Sequence, residues 1–142
     1  VTSYSELARD ALATERHNRL QRKSKQTCYV EQLLAGQKGV FIAASDYMKA
    51  LPLAIAQWIP GRYAVLGTDG YGLSESRPDL RNHFEVSAEH IVYATIAALV
   101  DDGKCSEKDL DIVAEKLRIN RDKPDSAKAG PAQVQAGSDP KN

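Results

Sequence analysis

Tyr63-Ala64-Val65-Leu66-Gly67-Thr68-Asp69-Gly70-Tyr71-Gly72-Leu73-Ser74-Glu75-Ser76-Arg77-Pro78 is the stretch that decides the fold. Tyr63 to Leu66 are apolar or β-prone and run straight into a loop with three glycines. Pro78 then signals a helix start. A buried strand feeding a Gly-rich turn and then a helix is the pattern of an open α/β sheet, whose strand-end loops carry specificity. Immediately upstream, Val40-Phe41-Ile42-Ala43-Ala44 is a continuous apolar run, too short for a helix and typical of a buried parallel strand. Between the two runs, Tyr47 to Ile59 has helical spacing at Leu51, Ile55, Trp58 and Ile59. Pro52 forbids an unbroken helix, so a short turn and then a helix with Pro52 near its first position is expected. Strand, helix and strand together make a βαβ unit.

Further out the signals are mostly helical. Ser3-Tyr4-Ser5-Glu6 has the form of a capping box ahead of Leu7, Ala8, Ala11 and Leu12, which predicts a short helix leaving a strand. Residues 17–27 read as a connecting loop, and a second short helix is expected from Cys28 to Ala35, stopped by Gly36. Beyond Pro78 a helix carries Leu80 and Phe84. Ser87 caps what reads as the longest helix, with Ile91, Val92, Thr95, Ile96 and Leu99 on one stripe and Gly103 at its end. Ser106 caps a last helix bearing Leu110, Val113, Ala114 and Leu117. Two strands are clear, and Val1-Thr2-Ser3 reads as the end of a third. The expected class is therefore α/β: a mixed, mostly parallel sheet flanked by helices, incomplete at its N-terminus. With Val rather than Met at position 1, the chain reads as a piece of a longer protein.

The 142 residues fall into two parts. Residues 1–122 can form one folded domain of ordinary size, burying roughly two-thirds of its extended surface. Residues 123–142, KPDSAKAGPAQVQAGSDPKN, contain Val134 as their only large apolar residue and are expected to be a disordered tail. Charge is balanced at 19 basic and 19 acidic side chains. The cluster Arg16, Arg19, Arg22, Lys23 and Lys25 lacks interleaved aromatics, so it reads as a solvated connection rather than a nucleic-acid surface. No apolar run is long enough to cross a membrane, and no signal peptide is seen. Cys28 and Cys105 lie far apart and outside any CxxC, which fits a reducing, cytoplasmic setting.

No motif of catalysis, cofactor binding or metal binding stands out. Gly67, Gly70 and Gly72 have the spacing G-x-x-G-x-G, the reverse of the dinucleotide fingerprint, and no Lys-Ser or Lys-Thr follows. Thr68-Asp69-Gly70 echoes the Gly-Asp-Gly that opens a thiamine-diphosphate motif, but an apolar helix stands where its asparagine pair belongs. The loop therefore reads as a tight structural turn whose glycines admit positive φ, with Asp69 and Arg77 bracing its ends. His17, His83 and His90 make no ligand set, and neither cysteine is near a histidine. Asp79, Glu85 and Glu89 sit near helix N-termini, where the dipole accounts for them.

Several segments together resemble the C-terminal domain of the homodimeric pyruvate dehydrogenase family. They are Val1-Thr2-Ser3-Tyr4 with Glu6-Leu7-Ala8-Arg9-Asp10, Ala44-Ser45-Asp46-Tyr47-Met48-Lys49, and Pro60-Gly61-Arg62-Tyr63 leading into the loop from Leu66 to Arg77. Leu80-Arg81-Asn82-His83-Phe84-Glu85-Val86 and Glu89-His90-Ile91-Val92 complete the set, in the family's order, across about residues 1–122. Tyr71 and Leu73 depart from it, standing where Phe and Arg are common, as does Gln26-Thr27-Cys28. The resemblance implies a domain like the last domain of transketolase. It implies a parent that decarboxylates pyruvate on thiamine diphosphate with Mg²⁺ and acetylates the lipoyl group of a dihydrolipoyl acetyltransferase component. The cofactor and the catalytic residues of that family lie in upstream domains and across a homodimer, and none has a matching position here. The chain is thus expected to be a scaffold that supports the dimer, inactive alone, with Gly67, Asp69, Gly70, Gly72 and Arg77 as its structural loop. The rival readings are a non-catalytic dimerisation or binding module, or the same domain from another 2-oxo acid dehydrogenase or a transketolase.

Overall fold

The structure, a computed structural model, describes residues 3–128. Its sheet pairs β1 (Phe41–Ala44) and β2 (Tyr63–Leu66) in parallel, with Phe41 opposite Tyr63 and Ala44 opposite Leu66. The ladder reaches past both ends: Phe41 N donates to Arg62 O at 2.8 Å and Ser45 N to Leu66 O at 3.0 Å. The strand–crossover–strand unit read from the sequence is present, and the domain is α/β with helices around a parallel pair. Of the strand end expected at Val1-Thr2-Ser3, residues 1 and 2 lie outside the described residues, and Ser3 has extended backbone but serves as the cap of the first helix.

The first helix corrects the sequence reading. α1 runs Tyr4–Leu20, well beyond the short helix expected, and takes in the first four residues of the loop expected at 17–27. Ser3 caps it, its side chain accepting from Glu6 N. No Gly or Pro interrupts residues 3–35, and good helix formers continue through the polar stretch, so polarity there marks an exposed helix rather than a break. The helix stops where Asn18 turns to the returning chain: Nδ2 donates to Gln26 O at 2.8 Å, and Gln26 N donates to Oδ1 at 2.7 Å. At 17 residues α1 is also longer than α5 (Ala88–Asp101, 14 residues), which the sequence had suggested was the longest.

α2 (Tyr29–Leu33) is capped by Cys28 and Glu31, and Gly36 follows at φ +75°. The crossover is shorter than expected. α3 covers only Ala50–Leu53, with Pro52 at its third position, and a 3₁₀ turn follows at Ala56–Trp58. Ile55, at φ −108° and ψ 5°, breaks the continuity. The break lets Ile55 and Trp58 both enter the core with Ala11, Cys28 and Val30, so packing overrides the helical period. Trp58 Nε1 donates to Glu15 at 3.2 Å, tying the crossover to α1. Tyr63 OH donates to Pro52 O at 3.1 Å, and burial, reinforced by Tyr4, pushes its pKa up to about 12.

α4 (Arg77–His83) starts at Ser76, whose side chain accepts from Asp79 N, with Pro78 in its first turn. α5 begins at Ser87 and lies against both strands and α6 (Glu107–Lys116). Arg62, just before β2, holds the far end of α5 through Asp102 at 2.8 Å and Asp101 at 3.3 Å. The basic residues Arg16, Arg19, Arg22, Lys23 and Lys25 are all exposed. Among the described residues, no helix is long and apolar enough to cross a membrane.

Of the segment expected as a tail, residues 129–142 lie outside the described residues. Residues 123–126 lie against the rest of the domain. Lys123 reaches the end of α4, and Ser126 Oγ donates to the Asp69 carbonyl at 3.3 Å.

Candidate functional site

In a parallel α/β sheet, loops at the carboxyl ends of the strands border the crevice where ligands bind. Here those loops are Ser45–Lys49 after β1 and Gly67–Ser76 after β2, and they are fastened to each other. Thr68 N donates to Tyr47 O at 3.0 Å. The Asp69 carboxylate accepts from Lys49 N at 3.2 Å and lies 3.9 Å from its ammonium. A Cβ on Gly67 would sit 2.7 Å from the Tyr47 carbonyl oxygen, so only glycine lets the two loops approach this closely.

The expected brace between Asp69 and Arg77 is not what holds the loop. Asp69 turns to Lys49, and among the described residues it makes no ion pair with Arg77, which stands at the first position of α4. Lys49 is the partner that the sequence reading missed. A basic residue five positions past the strand gave no signal of its own, because the contact joins two loops 20 residues apart. Gly70 holds the positive φ, +126°, that was expected at Gly70 or Gly72. Gly72 has open space around it.

A cavity of about 1130 Å³ opens beside these loops, bordered by Asp46, Thr68, Arg77, Arg81 and the apolar Leu80 and Phe84. Arg77 and Arg81 lie four apart on α4 and so share a face. The cavity lining has two guanidiniums and one carboxylate, with no histidine or cysteine. Ser45 Oγ accepts from Tyr47 N at 3.1 Å, which makes it a turn-forming group. Ser87 Oγ and His90 Nδ1 lie 2.9 Å apart, but the same hydroxyl caps α5, and neither residue's ring or hydroxyl borders the cavity. Burial holds His90 below its ordinary pKa. Burial and then the Lys123 ammonium do the same to His83. Among the described residues no three His, Cys, Asp or Glu side chains are grouped to hold a metal ion. The contacts shown join the loop after β1 to the loop after β2.

The sequence matches the family of transketolase-like TK C-terminal domains over residues 1–87. It is 49% identical over 120 residues to the pyruvate dehydrogenase E1 component of Pseudomonas aeruginosa, covering 82% of this chain and 13% of that protein. The E1 component of Mycolicibacterium smegmatis is 39% identical over 140 residues, 97% of this chain and 14% of the relative. That of Escherichia coli K12 is 38% identical over 125 residues, 87% of this chain and 14% of the relative. The chain thus spans about one-seventh of the length of these relatives.

Proposed function

The chain belongs to the transketolase-like C-terminal domain family, and on that premise we propose that it is the C-terminal scaffold domain of a pyruvate dehydrogenase E1 component. The observation that carries this reading is the identity of 36–49% to proteins of that name. In this reading the parent polypeptide is cytoplasmic and homodimeric and serves the oxidation of glycolytic pyruvate. It decarboxylates pyruvate on thiamine diphosphate and passes the acetyl group to the lipoyl group of the dihydrolipoyl acetyltransferase component.

Among the described residues, the Gly-rich loop and the cavity beside it do not fit the cofactor. Asp69, the acidic residue of the Gly-rich loop, is engaged by Lys49, and the cavity lining offers Asp46 as its one carboxylate. Thiamine diphosphate and Mg²⁺ are therefore assigned to upstream domains of the same polypeptide, and no chemical step is assigned here. The part of this chain is positional. It locks the β1 and β2 loops together through Gly67 and Asp69 and presents Tyr47, Met48, Leu51, Leu53 and Tyr71, all exposed, beside them. Four exposed apolar side chains within residues 47–53, with Tyr71 on the neighbouring loop, support a contact with the upstream domains or the second subunit.

The test compares the longer polypeptide with the chain alone. The longer polypeptide should release CO₂ from pyruvate only when supplied with thiamine diphosphate and Mg²⁺, and the isolated chain should release none above background. Turnover of another 2-oxo acid or a ketose in place of pyruvate would replace the reading with one of its rivals. Saturable turnover by the isolated chain would remove the scaffold assignment.

A further inference from the structure

The geometry points to residues 121–126 as a strap that sets the order of the Gly-rich loop, with Lys123 as its pin. Lys123 carries the least exposed charge among the ion pairs, its side chain 7% exposed. Its ammonium donates to Asn82 O at 2.8 Å and His83 O at 2.6 Å and lies 3.4 Å from Glu85 Oε1. An ammonium has three protons, and here each has an acceptor. Two of the acceptors are last-turn carbonyls of α4, of which Asn82 O also accepts from Glu85 N at 3.2 Å. The third, Glu85, has φ +58°, a left-handed conformation that non-glycine residues seldom adopt, and it is the residue by which the chain leaves α4.

From this pin the strap continues to the loop. Asp125 closes a turn by accepting from Lys128 N at 3.0 Å and Ala127 N at 2.9 Å. Ser126 then meets the loop twice. Its hydroxyl donates to Asp69 O, and its carbonyl lies so close to Gly70 that a Cβ there would overlap it. The other end is held on the α5–α6 pair, where Arg121 bonds Asp111 at 2.8 Å and lies over the Tyr93 ring at 5.8 Å. The strap therefore joins α5 and α6 to α4 and then to Asp69, whose carboxylate already holds Lys49. Residues 71–76 have no regular secondary structure, and Tyr71 is 72% exposed, so their order depends on what fixes the loop's first residues. None of residues 121–126 is buried as a whole. A segment held by polar contacts without an apolar core opens at low cost compared with the core elements.

Hydrogen exchange on the intact polypeptide tests this directly. Lys123→Met keeps the alkyl stem and removes the ammonium. It should speed exchange of the Thr68 and Lys49 amides, which bond Tyr47 O and the Asp69 carboxylate across the two loops, about tenfold or more, the loss expected for hydrogen bonds from a charged group, while the α5 amides stay protected. Unchanged loop exchange with protected α5 overturns the proposal. If Lys123→Met also exposes α5, Gly70→Ala decides through amine labelling. In the wild-type protein Lys123 should label about tenfold or more slowly than exposed Lys108, and Gly70→Ala should bring it close to the Lys108 rate by lifting Ser126. Rapid labelling of Lys123 in the wild type, or continued protection in Gly70→Ala, overturns it as well.

Discussion

At Gly67 a Cβ would lie 2.7 Å from the Tyr47 carbonyl oxygen and 2.9 Å from the Lys49 amide nitrogen, both backbone atoms that cannot rotate away. Gly67→Ala should therefore destabilise the domain by about 1–3 kcal/mol, the range for overpacking a close contact. Gly72→Ala, with open space around it and an ordinary φ, should change stability by about 0.5 kcal/mol or less. Denaturant midpoints of the two variants check the contrast, and equal losses would mean that the loop is ordered differently. The histidines make a second prediction at this scale. Both His83 and His90 have folded pKa values below the ordinary value of about 6.5, for each chiefly because burial disfavours the charged ring. A depressed pKa means that the unfolded chain takes up protons first as pH falls. Stability is thus full above about pH 6.5 and declines as pH drops from there toward the folded values. The melting temperature should fall between pH 7.5 and 5.5, and replacing both rings by Gln should flatten that slope. An unchanged slope in the double variant would assign the decline to other groups. The sequence showed why glycine was needed in this loop but not what each glycine meets. Gly67 faces residues 47 and 49, and that distance in the chain leaves no local trace.

Among the elements, the caps act through bonds three residues apart. Ser106 and Asp109 form a reciprocal box at the start of α6: Ser106 N donates to Asp109 Oδ2 at 2.8 Å, and Asp109 N donates to Ser106 Oγ at 3.3 Å. Ser106→Ala should cost about 1 kcal/mol, read from the midpoint of urea unfolding. The hydrogen bonds from Ser106 also hold the Asp109 carboxyl below its usual range, so the box is intact at neutral pH and weakens only as pH falls through that lowered value. Such short-range signals explain what was legible. Ser3, Ser87 and Ser106 were read as caps and do cap their helices, and both strands lie within one residue of their expected limits. The failures came where a distant contact decides. The length of α1 is not legible because its C-terminal turns are rich in polar residues, as a loop is. The crossover is present, but its helix is shorter than the spacing suggests because Ile55 and Trp58 leave the helical period to reach the same core cluster. Lys49 and Lys123, the residues that hold the candidate site together, act across 20 and about 40 residues and carry no motif.

The whole molecule has a small interior for its length. Among the described residues the buried apolar ones are Ala11, Cys28, Val30, Ala43, Pro52, Ile55, Trp58, Ala98 and Ala114, four of the nine being alanines, and the sheet has two strands. A two-stranded sheet depends on helices or further strands for stability, and the chain spans only 13–14% of its relatives' length. Large apolar side chains meanwhile stand exposed after β1, with Tyr47 at 56% and Leu53 at 49%. If these side chains face other parts of a longer polypeptide or a second subunit, their worth depends on context. Tyr47→Gln with Leu53→Gln should change the stability of the isolated chain by about 0.5 kcal/mol or less, as exposed positions do. In the longer polypeptide the same pair should cost about 1–3 kcal/mol, because burying the exposed half of each side chain contributes on that order. Thermal unfolding of both forms, with subunit association followed in parallel, separates the cases. A large loss confined to the longer form supports the scaffold reading. Small and equal effects in both forms would mean that this face meets water in the assembled protein, and the contact assigned to it would have to be sought on another surface.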